Sequence, residues 1–463
     1  MKTINLNKKH FFFVWLSFFC YSMLAAWLFR KAILPLFPSF NAGNGLITDD
    51  ASYFDSVAYS LAERIHLQGW GEWHVYPAPY AGINVALLGA IYVLFGHHTA
   101  LMMPVGSALH AMGGVLILIL ARELGDKTLA STCAGFLAAS LYVIFPSALT
   151  WFSQNLKDSY MIAGSLLVLL TWIKASENSC RFQDWILLSL YHLIGVMLIA
   201  GVRPYNLILL FIATIGALSI VSLGSVVQHH LRNIVKPASF FAIAFITIVV
   251  GIKFISMDSV GNITLAGINV SSQKTVHKKP FISNNTITSE ITNKSAWRWK
   301  RSSIFPQKVE NYFKSIAKIR AKKIKRGLKI GAKSTIDEDV QPQSIREVIQ
   351  YLPRALQVAL LAPFPSSWFQ ETSIQRRIAS GEMFIYYLFL PGIFLLFLYN
   401  RKPKVFLVIF FACFFLMIYA FAEANLGTLY RHRYGYLFMV LTVGSLGWFT
   451  WFEKIGWLKR FEK

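Results

Sequence analysis

The chain has 463 residues, of which 55% are hydrophobic and only 14% are charged, whereas soluble domains carry about 25% charged residues. Its apolar residues form repeated blocks of membrane-spanning length, which excludes an ordinary soluble enzyme. Lys and Arg outnumber Asp and Glu by 45 to 22; an excess of this kind is typical of cytoplasmic loops of membrane proteins. Cys20, Cys133, Cys180 and Cys413 have neither disulfide nor zinc-binding spacing.

The first apolar block, residues 11–29, follows three lysines and is too long for the apolar core of a signal peptide. We therefore expect a retained transmembrane helix with a cytoplasmic N-terminus. Residues 41–80 are predominantly acidic, with Arg64 as their only strong base, and they contain several Trp and Tyr residues. This composition indicates an outer loop at the membrane interface.

The topology depends on residues 81–96, an apolar segment shorter than the ~20 residues that a spanning helix needs. If this segment lies at the interface, every short basic loop faces the cytoplasm and both acidic stretches face outward. If it crosses the membrane, the short basic loops face outward. The first arrangement agrees better with the distribution of positive charge. It gives spans at 11–29, 101–121, 128–148, 159–173, 185–200, 205–227, 239–255, 383–398, 405–422 and 436–452.

The predicted fold is thus an all-α polytopic membrane protein with about ten transmembrane helices. It divides into an N-terminal transmembrane module (1–256) with a first outer loop at 30–100, a basic extramembrane loop (257–353) and a C-terminal transmembrane module (354–463). Residues 355–369, broken by Pro363 and Pro365, indicate a half-inserted or interfacial helix.

Within the basic loop, residues 307–333 have the pattern of one basic amphipathic helix. Its predicted apolar positions are Val309, Phe313, Ile316, Ile324 and Leu328. Such a helix suits anionic lipid headgroups or an anionic polymer; the alternative is a solvated helix whose charges do little. Nucleic acid is disfavoured, because no aromatic stacking platform accompanies the charge.

Two acidic clusters border predicted spans on the outer side. Asp49 and Asp50 follow the first span, with Tyr53 one turn later, and Lys157 with Asp158 precede the span at 159–173. Adjacent carboxylates can provide a general base. In the structural alternative, each acid caps the helix that follows it and Lys157 is an interfacial residue.

Three arginines form the corresponding set of cations. Arg203 lies in Gly-Val-Arg-Pro-Tyr, and Arg431 and Arg433 flank His432. Two arginines separated by one residue can hold a phosphate from two directions, although arginine at a helix end is also an ordinary headgroup anchor. Carboxylates and arginines on one outer face are what transfer of a sugar from a lipid phosphate requires: a base for the acceptor hydroxyl and cations for the leaving phosphate.

The order of these features resembles that of the C-type (GT-C) membrane glycosyltransferases. The shared features are the acidic pair Asp49–Asp50 after the first span, the Pro-led short apolar segment, the Ala-Arg-Glu-Leu sequence at 121–124, and Asp158 before a span. The superfamily includes protein O-mannosyltransferases, the lipid A aminoarabinose transferase and bacterial family 39-like enzymes. The resemblance covers residues 1–230; two C-terminal segments, 362–368 and 427–433, look like bacterial members from polysaccharide clusters.

The resemblance implies an inverting glycosyltransferase of a bacterial inner membrane that uses a polyprenyl-phosphate sugar and makes a cell-surface polysaccharide or glycolipid. It implies that Asp49 or Asp50 is the catalytic base, and we favour Asp50, with Asp158 as a second acid of the site. Arg203 matches a basic position of relatives, whereas Ala78 stands where relatives often carry a lysine. Our own assignments to substrate are Tyr53, Lys157, Arg431 and Arg433.

Other interpretations remain open at this point. No cofactor and no metal are expected, although Asp49, Asp50 and Asp158 could instead hold a divalent ion. His97, His98, His229 and His230 are interpreted as interface or loop residues, and Glu423 as a residue that either pairs with an arginine or supports the site. The alternative functions are a polysaccharide polymerase of the O-antigen type and a transporter or flippase for a lipid-linked sugar.

Overall fold

The computed structural model describes residues 4–48, 50–176, 182–227, 235–258, 297–302, 304–329, 331–332, 334–369, 373–399 and 402–457. Within these ranges the chain is predominantly α-helical, with one antiparallel hairpin of β1 (Asn41–Gly43) and β2 (Leu46–Ile47). The α-helices are α1 (Lys8–Leu28), α2 (Asp50–Gln68), α3 (Ile83–Phe95), α4 (Met103–Leu124), α5 (Leu129–Ile144), α6 (Leu149–Phe152), α7 (Asp158–Ala175), α8 (Phe182–Val202), α9 (Asn206–Val227), α10 (Val235–Asp258), α11 (Gln307–Lys329), α12 (Ile345–Leu361), α13 (Ile374–Tyr399), α14 (Pro403–Ala422) and α15 (Leu426–Lys454).

Short helical turns extend or connect these helices. A π-helical turn (Phe29–Ile33) and a 3₁₀ turn (Leu34–Leu36) continue α1, and the other 3₁₀ turns are Trp70–Glu72, Thr99–Met102, Pro146–Ala148 and Pro365–Ser367.

Eight helical segments of the described chain are long and apolar enough to cross a membrane. They coincide with eight of the ten predicted spans. The span predicted at 128–148 is instead a pair of helices, Leu129–Ile144 and Pro146–Phe152, bent by 48° at the break before Pro146. The span predicted at 239–255 corresponds to the shorter apolar stretch Ala238–Ile252 within α10. The protein is therefore a multi-pass, all-α integral membrane protein.

Helix α15 forms the centre of the bundle. It packs against α13, α5 and α14 and contacts α4 and α7 as well, so the C-terminal helices share one core with the N-terminal ones. The crossing with α13 is close because Gly392 faces Gly444 and Gly447, and a Cβ at any of the three would overlap the opposite backbone. Small residues at a helix crossing let the backbones approach, which is how helices pack in lipid.

One end of the bundle is rich in basic residues, and we call it the basic end. There Lys174 Nζ lies 3.0 Å from Glu123 Oε1 and Lys404 Nζ lies 2.8 Å from Asp126 Oδ1. Arg122 donates to the carbonyl of Ile4 at 2.7 Å. The hairpin β1–β2 lies at the opposite end, which we call the hairpin end, where Gln154 holds it by accepting from Ile47 N at 3.2 Å.

Helix α3 begins and ends at the hairpin end. Near its start, Asn84 Nδ2 donates to the carbonyl of Asn155 at 3.1 Å. Beyond its last residue, Thr99 accepts from Arg30, which also donates to the Ser153 carbonyl at 3.1 Å. Both ends of α3 are thus connected to the same short segment that precedes α7.

The described chain that begins at residue 297 differs from expectation at one boundary. Only residues 355–361 of the predicted interfacial helix, 355–369, are part of α12, and they form its second half. Helix α12 begins at Ile345, where Ser344 accepts from Glu347 N at 3.3 Å, and it ends at Leu361, before Pro363. The predicted start followed the apolar stretch and missed the polar, amphipathic first half. Consequently, the module boundary predicted at 353/354 falls inside α12. Helix α11 begins at residue 307 as predicted and ends four residues earlier.

Candidate active site

The centre of the site is Asp158, the first residue of α7, where the helix dipole favours an acid. Its Oδ1 lies 2.8 Å from Arg203 Nη2, and its Oδ2 lies 3.2 Å from Arg431 Nε. Asp158 and Arg203 are 2% and 3% exposed, respectively. Three helix ends converge here: the start of α7, the loop between α8 and α9, and the second turn of α15. Each oxygen of this buried carboxylate thus faces one guanidinium group.

Asp50 joins this cluster through Arg431. Its Oδ2 lies 2.9 Å from Arg431 Nη2, so that Arg431 bridges the two carboxylates. The two differ in access: the side chain of Asp50 is 53% exposed, whereas that of Asp158 is buried. We call Asp50, Asp158, Arg203 and Arg431 the ion-pair cluster. Asp49, the other predicted acid, lies outside the described residues.

The hairpin fixes the position of Asp50 relative to α7. Gln154, four residues before Asp158, donates to the Gly45 carbonyl at 3.1 Å in addition to accepting from Ile47. Gly45 has a φ of +74°, and a Cβ there would lie 2.8 Å from Arg30 Nε. Glycine is therefore required at this turn, because it tolerates this backbone conformation and leaves room for Arg30.

The contact between Arg431 and Asp158 is electrostatic rather than a well-aligned hydrogen bond. Although Arg431 Nε and Asp158 Oδ2 are 3.2 Å apart, neither atom has a hydrogen-bond partner among the described residues. A buried N–H without a partner is costly unless another acceptor is supplied. Arg431 thus retains a donor for an additional oxygen atom.

Lys157 adds a third cation beside the ion-pair cluster. Its Nζ lies 5.4 Å from the centre of the Phe54 ring on α2, within the range of a cation–π contact. Burial, and next the positive charge of Arg203, lower the pKa of Lys157 to about 8. The site thus contains three cations and two described carboxylates, which leaves it one positive charge in excess when Lys157 is protonated.

Tyr53 connects α2 to the proline-led segment before α3. Its hydroxyl donates to the Pro79 carbonyl at 2.8 Å, and the residue is 39% exposed. Burial, together with the neighbouring Tyr80, raises the pKa of Tyr53. Tyr53 lies one turn after Asp50 on the same helix, so that it borders the site without contacting the ion-pair cluster.

Arg433 does not join the cluster, contrary to the expectation that it holds a phosphate together with Arg431. It is fully buried, and it donates to the carbonyls of Val358 and Ala359 at 3.1 and 2.8 Å and to that of Ala362. These carbonyls lie at the C-terminal end of α12. Val358 also accepts from Ala362 N at 3.1 Å, whereas the residue four positions after Ala359 is Pro363, which has no N–H to donate. Its guanidinium also lies over the ring of Tyr430, 4.6 Å from the ring centre.

Glu423 also has a different partner from the predicted one. It pairs with Lys323 of α11 rather than with an arginine. His97 is not simply a loop residue: its Nε2 lies 3.1 Å from Oδ2 of the buried Asp55, which also accepts from Tyr92. His98 lies next to His97 in the loop that follows α3. His229 and His230 lie outside the described residues.

Two structural arginines were missed by the sequence reasoning. Arg30 donates to the carbonyls of Ser153 and Asn44, both at 3.1 Å, and so supports the hairpin. Arg320 of α11 is fully buried and donates to carbonyls at the end of α14. Arg320 shares helical spacing with Phe313, Ala317 and Ile324, so an arginine on the apolar face was a signal that could have been used.

No protein-family model matches the chain, and no curated protein sequence is similar to it. The chemistry of the site therefore has to be judged from its own residues. Within the described ranges, no group of three or more His, Cys, Asp or Glu residues is placed to hold a metal ion. An exposed carboxylate beside guanidinium groups can accept a proton next to a bound anion.

Proposed function

We propose that this protein is an integral membrane glycosyltransferase of the C type, which transfers a sugar from a polyprenyl phosphate to an acceptor hydroxyl on the extracytoplasmic face. The observation that supports this most strongly is the ion-pair cluster: an accessible Asp50 shares Arg431 with a buried Asp158 that also binds Arg203. A candidate base and two cations are therefore connected by direct side-chain contacts at one end of an apolar bundle.

The charge of the two bundle ends supports an extracytoplasmic site. The basic end contains Arg122, Lys127, Lys174, Lys402 and Lys404 in short connections or at helix ends. Short loops rich in Lys and Arg remain on the cytoplasmic side. The hairpin end, with the ion-pair cluster, is then on the outer side.

The position of α3 supports the same topology. Because both ends of α3 are connected to residues 153–155, a helix at the interface explains its contacts better than a helix that crosses. Its 13 residues also extend only about 20 Å, less than the hydrocarbon thickness of a bilayer. We therefore keep residues 81–96 as an interfacial segment of the first outer loop.

In the proposed reaction, the acceptor oxygen attacks the anomeric carbon while the bond from that carbon to the phosphate oxygen breaks. Asp50 takes the proton of the acceptor hydroxyl, and the polyprenyl phosphate leaves with the electron pair, so that the configuration inverts. Arg431 and Arg203, with protonated Lys157, stabilise the charge that develops on the phosphate. Asp158 is a positioning residue, because it is buried and holds the two guanidinium groups.

Arg431 has a second role in this proposal. While it pairs with Asp50, its guanidinium group occupies one oxygen of that carboxylate. A donor phosphate that binds Arg431 competes with Asp50 for the same guanidinium group. Donor binding thus releases Asp50 to accept a proton from the acceptor.

The test is replacement of Asp50 by Asn in cells from which the chromosomal gene has been deleted. The wild-type chain should restore the missing surface glycan, whereas Asp50→Asn should not, since loss of a general base slows transfer by about 10²- to 10⁴-fold. The matched control is Glu63→Gln, an exposed carboxylate on the same helix, which should restore the glycan fully.

The amount of each variant in the membrane is measured in parallel, and it should be equal because the Asp50 side chain is 53% exposed. Restoration of the glycan by Asp50→Asn would remove Asp50 from the mechanism. The mass of the glycan distinguishes the alternatives: loss of a single sugar indicates a transferase, and loss of a ladder of repeat units indicates a polymerase.

A further inference from the structure

We propose that the exposed basic face of α11 is a docking surface for anionic lipid headgroups in the leaflet next to the candidate active site. This inference does not depend on the glycosyltransferase reaction. It rests on the way α11 is attached to the bundle, on the residues that it exposes and on its level relative to the transmembrane helices.

The inner face of α11 is attached to the hairpin end of the bundle. Arg320 donates to the Ala420 and Phe421 carbonyls at 3.4 and 3.3 Å, at the end of α14, and to the Val340 carbonyl at 3.0 Å. Lys323 pairs with Glu423, the residue that follows α14. Helix α11 therefore lies at the level where the apolar helix α14 ends, which is the level of lipid headgroups.

The opposite face of α11 is exposed and strongly basic. An α-helix turns by about 100° per residue, so that residues separated by three, four or seven positions share a face. The exposed cations form a broad sector that begins beside the buried Ala317, at Lys314, and reaches the side opposite to it, at Arg326. They are Lys308, Lys314, Lys318, Lys322, Lys325, Arg326 and Lys329.

An apolar stripe lies between the buried face and the basic face. Val309 and Tyr312 are 37% and 36% exposed, and Ile316 follows them at helical spacing. Ile304 and Phe305, which lead into the helix, are 82% and 37% exposed. A helix that combines a basic face with exposed apolar and aromatic residues suits the lipid interface, where the cations meet phosphates and the apolar groups reach the acyl chains.

The apolar stripe favours a lipid surface over a soluble anionic polymer. A polymer would use the cations but leave Val309, Tyr312, Ile304 and Phe305 in water. Anionic lipid supplies both contacts at once, and each Lys or Arg near such a surface adds to the attraction. The described residues that face α11 from α14 and the following turn are already paired with it, so the basic face is directed away from the bundle.

The test uses the full-length protein in lipid nanodiscs and measures backbone hydrogen exchange of α11 peptides by mass spectrometry. Discs of phosphatidylcholine alone are compared with discs that also contain phosphatidylglycerol. We expect exchange in α11 to be slower by about tenfold in the anionic discs, because docking suppresses local opening. Peptides from the buried part of α15, in the centre of the bundle, serve as a reference within the same sample.

Two quadruple variants test the role of charge. Changing Lys318, Lys322, Lys325 and Lys329 to Gln should abolish the difference between the discs, whereas changing the same four residues to Arg should preserve it. Lys, Gln and Arg have similar helix propensities, and all four side chains are exposed. Unchanged exchange in peptides of α12 and α14 verifies that the fold is retained.

Two results would overturn the inference. The first is exchange of α11 that does not depend on both anionic lipid and the four lysines: equal exchange of the wild-type protein in both kinds of disc, or a difference that persists in the Gln variant. The second is protection that appears only after addition of soluble dextran sulfate, which would assign the basic face to an anionic polymer instead of lipid.

Discussion

Asp50 and Asp158 have different surroundings, and the difference assigns their roles. Asp158 is buried and uses one oxygen for each of two arginines, while Asp50 has one such partner and remains open to solvent. The proposed base is therefore the acid that an acceptor can reach. The other acid contacts both Arg203 and Arg431, and it would set the distance between them in the proposed phosphate-binding position.

Lys157 gives the site a dependence on pH that can be measured. Because its pKa is lowered to about 8 from 10.5, it is a cation below about pH 8 and becomes neutral as the pH rises through that value. Affinity for a soluble short-chain prenyl phosphate should therefore decrease by about three- to tenfold between pH 7 and pH 9.5. A phosphate monoester is already a dianion through most of this range, so its own titration does not produce the decrease.

The control for this prediction is Lys157→Arg. Arginine remains charged throughout the range, so that the variant should bind the prenyl phosphate equally at pH 7 and pH 9.5. Isothermal titration in neutral detergent gives both affinities. If the wild-type protein and the arginine variant lose affinity in parallel, another group is responsible.

The structure brings four of the predicted site residues together in the ion-pair cluster, and it places Arg433 elsewhere. In the sequence, Asp50, Asp158, Arg203 and Arg431 all lie near the ends of apolar segments. Counting the predicted spans along the chain assigned all four of these ends to the same side of the membrane. The sequence could not place Arg433 correctly. Residues two apart on a helix point in directions about 200° apart, and only the position of α12 shows that Arg433 faces it.

At the scale of helices, two arginines donate to carbonyls at the ends of other helices. Arg433 satisfies the end of α12, and Arg320 satisfies the end of α14. Both arginines come from another helix and are fully buried. Their carbonyl partners are distant in sequence, which is why composition and spacing alone did not predict them.

The crossing of α13 and α15 provides a prediction about helix packing. A methyl group at Gly392 would overlap the Gly444 carbonyl, so Gly392→Ala should force the two helices apart. We expect a loss of about 2–4 kcal/mol in stability, within the range of overpacking and of lost packing contacts. The midpoint of thermal unfolding in detergent measures this change.

Gly381→Ala is the matched control on the same helix. A Cβ at Gly381 meets no atom of the described structure within 4 Å, and alanine is a better helix former than glycine. This variant should be as stable as the wild-type protein or slightly more stable. A Gly392→Ala protein that unfolds at the wild-type temperature would contradict the close crossing.

At the scale of the whole molecule, hydropathy predicted the bundle well because lipid requires long apolar helices. Eight predicted spans match described helices that are long and apolar enough. The predicted boundaries were wrong where the length of the apolar stretch differs from the length of the helix. This occurs at the break before Pro146 and at α12, whose first half is amphipathic. A hydropathy profile does not detect either feature.

The arrangement of the two bundle ends predicts the result of accessibility labelling. In a chain without its native cysteines, Tyr80→Cys and His98→Cys flank α3, and both residues are exposed. Both should react from the outer side with a membrane-impermeant maleimide, as should Lys322→Cys of α11. Lys127→Cys, at the basic end, should react only after the membrane is permeabilised.

Opposite accessibility of positions 80 and 98 would mean that α3 crosses the membrane. In that case Asp50 and Asp158 would lie on different faces, which their shared contact with Arg431 does not allow. The labelling pattern thus tests the proposed topology independently of any enzymatic activity.

Because Arg431 and Arg433 have different partners, mutations of the two residues are expected to have different effects. The triplet Arg-His-Arg looks like one functional unit in a sequence. However, Arg431 pairs with two acids, whereas Arg433 donates to carbonyls at the end of α12. A joint replacement would mix inactivation with misfolding, and neither effect could be assigned. Single replacements, each accompanied by a measurement of folded protein, separate the two.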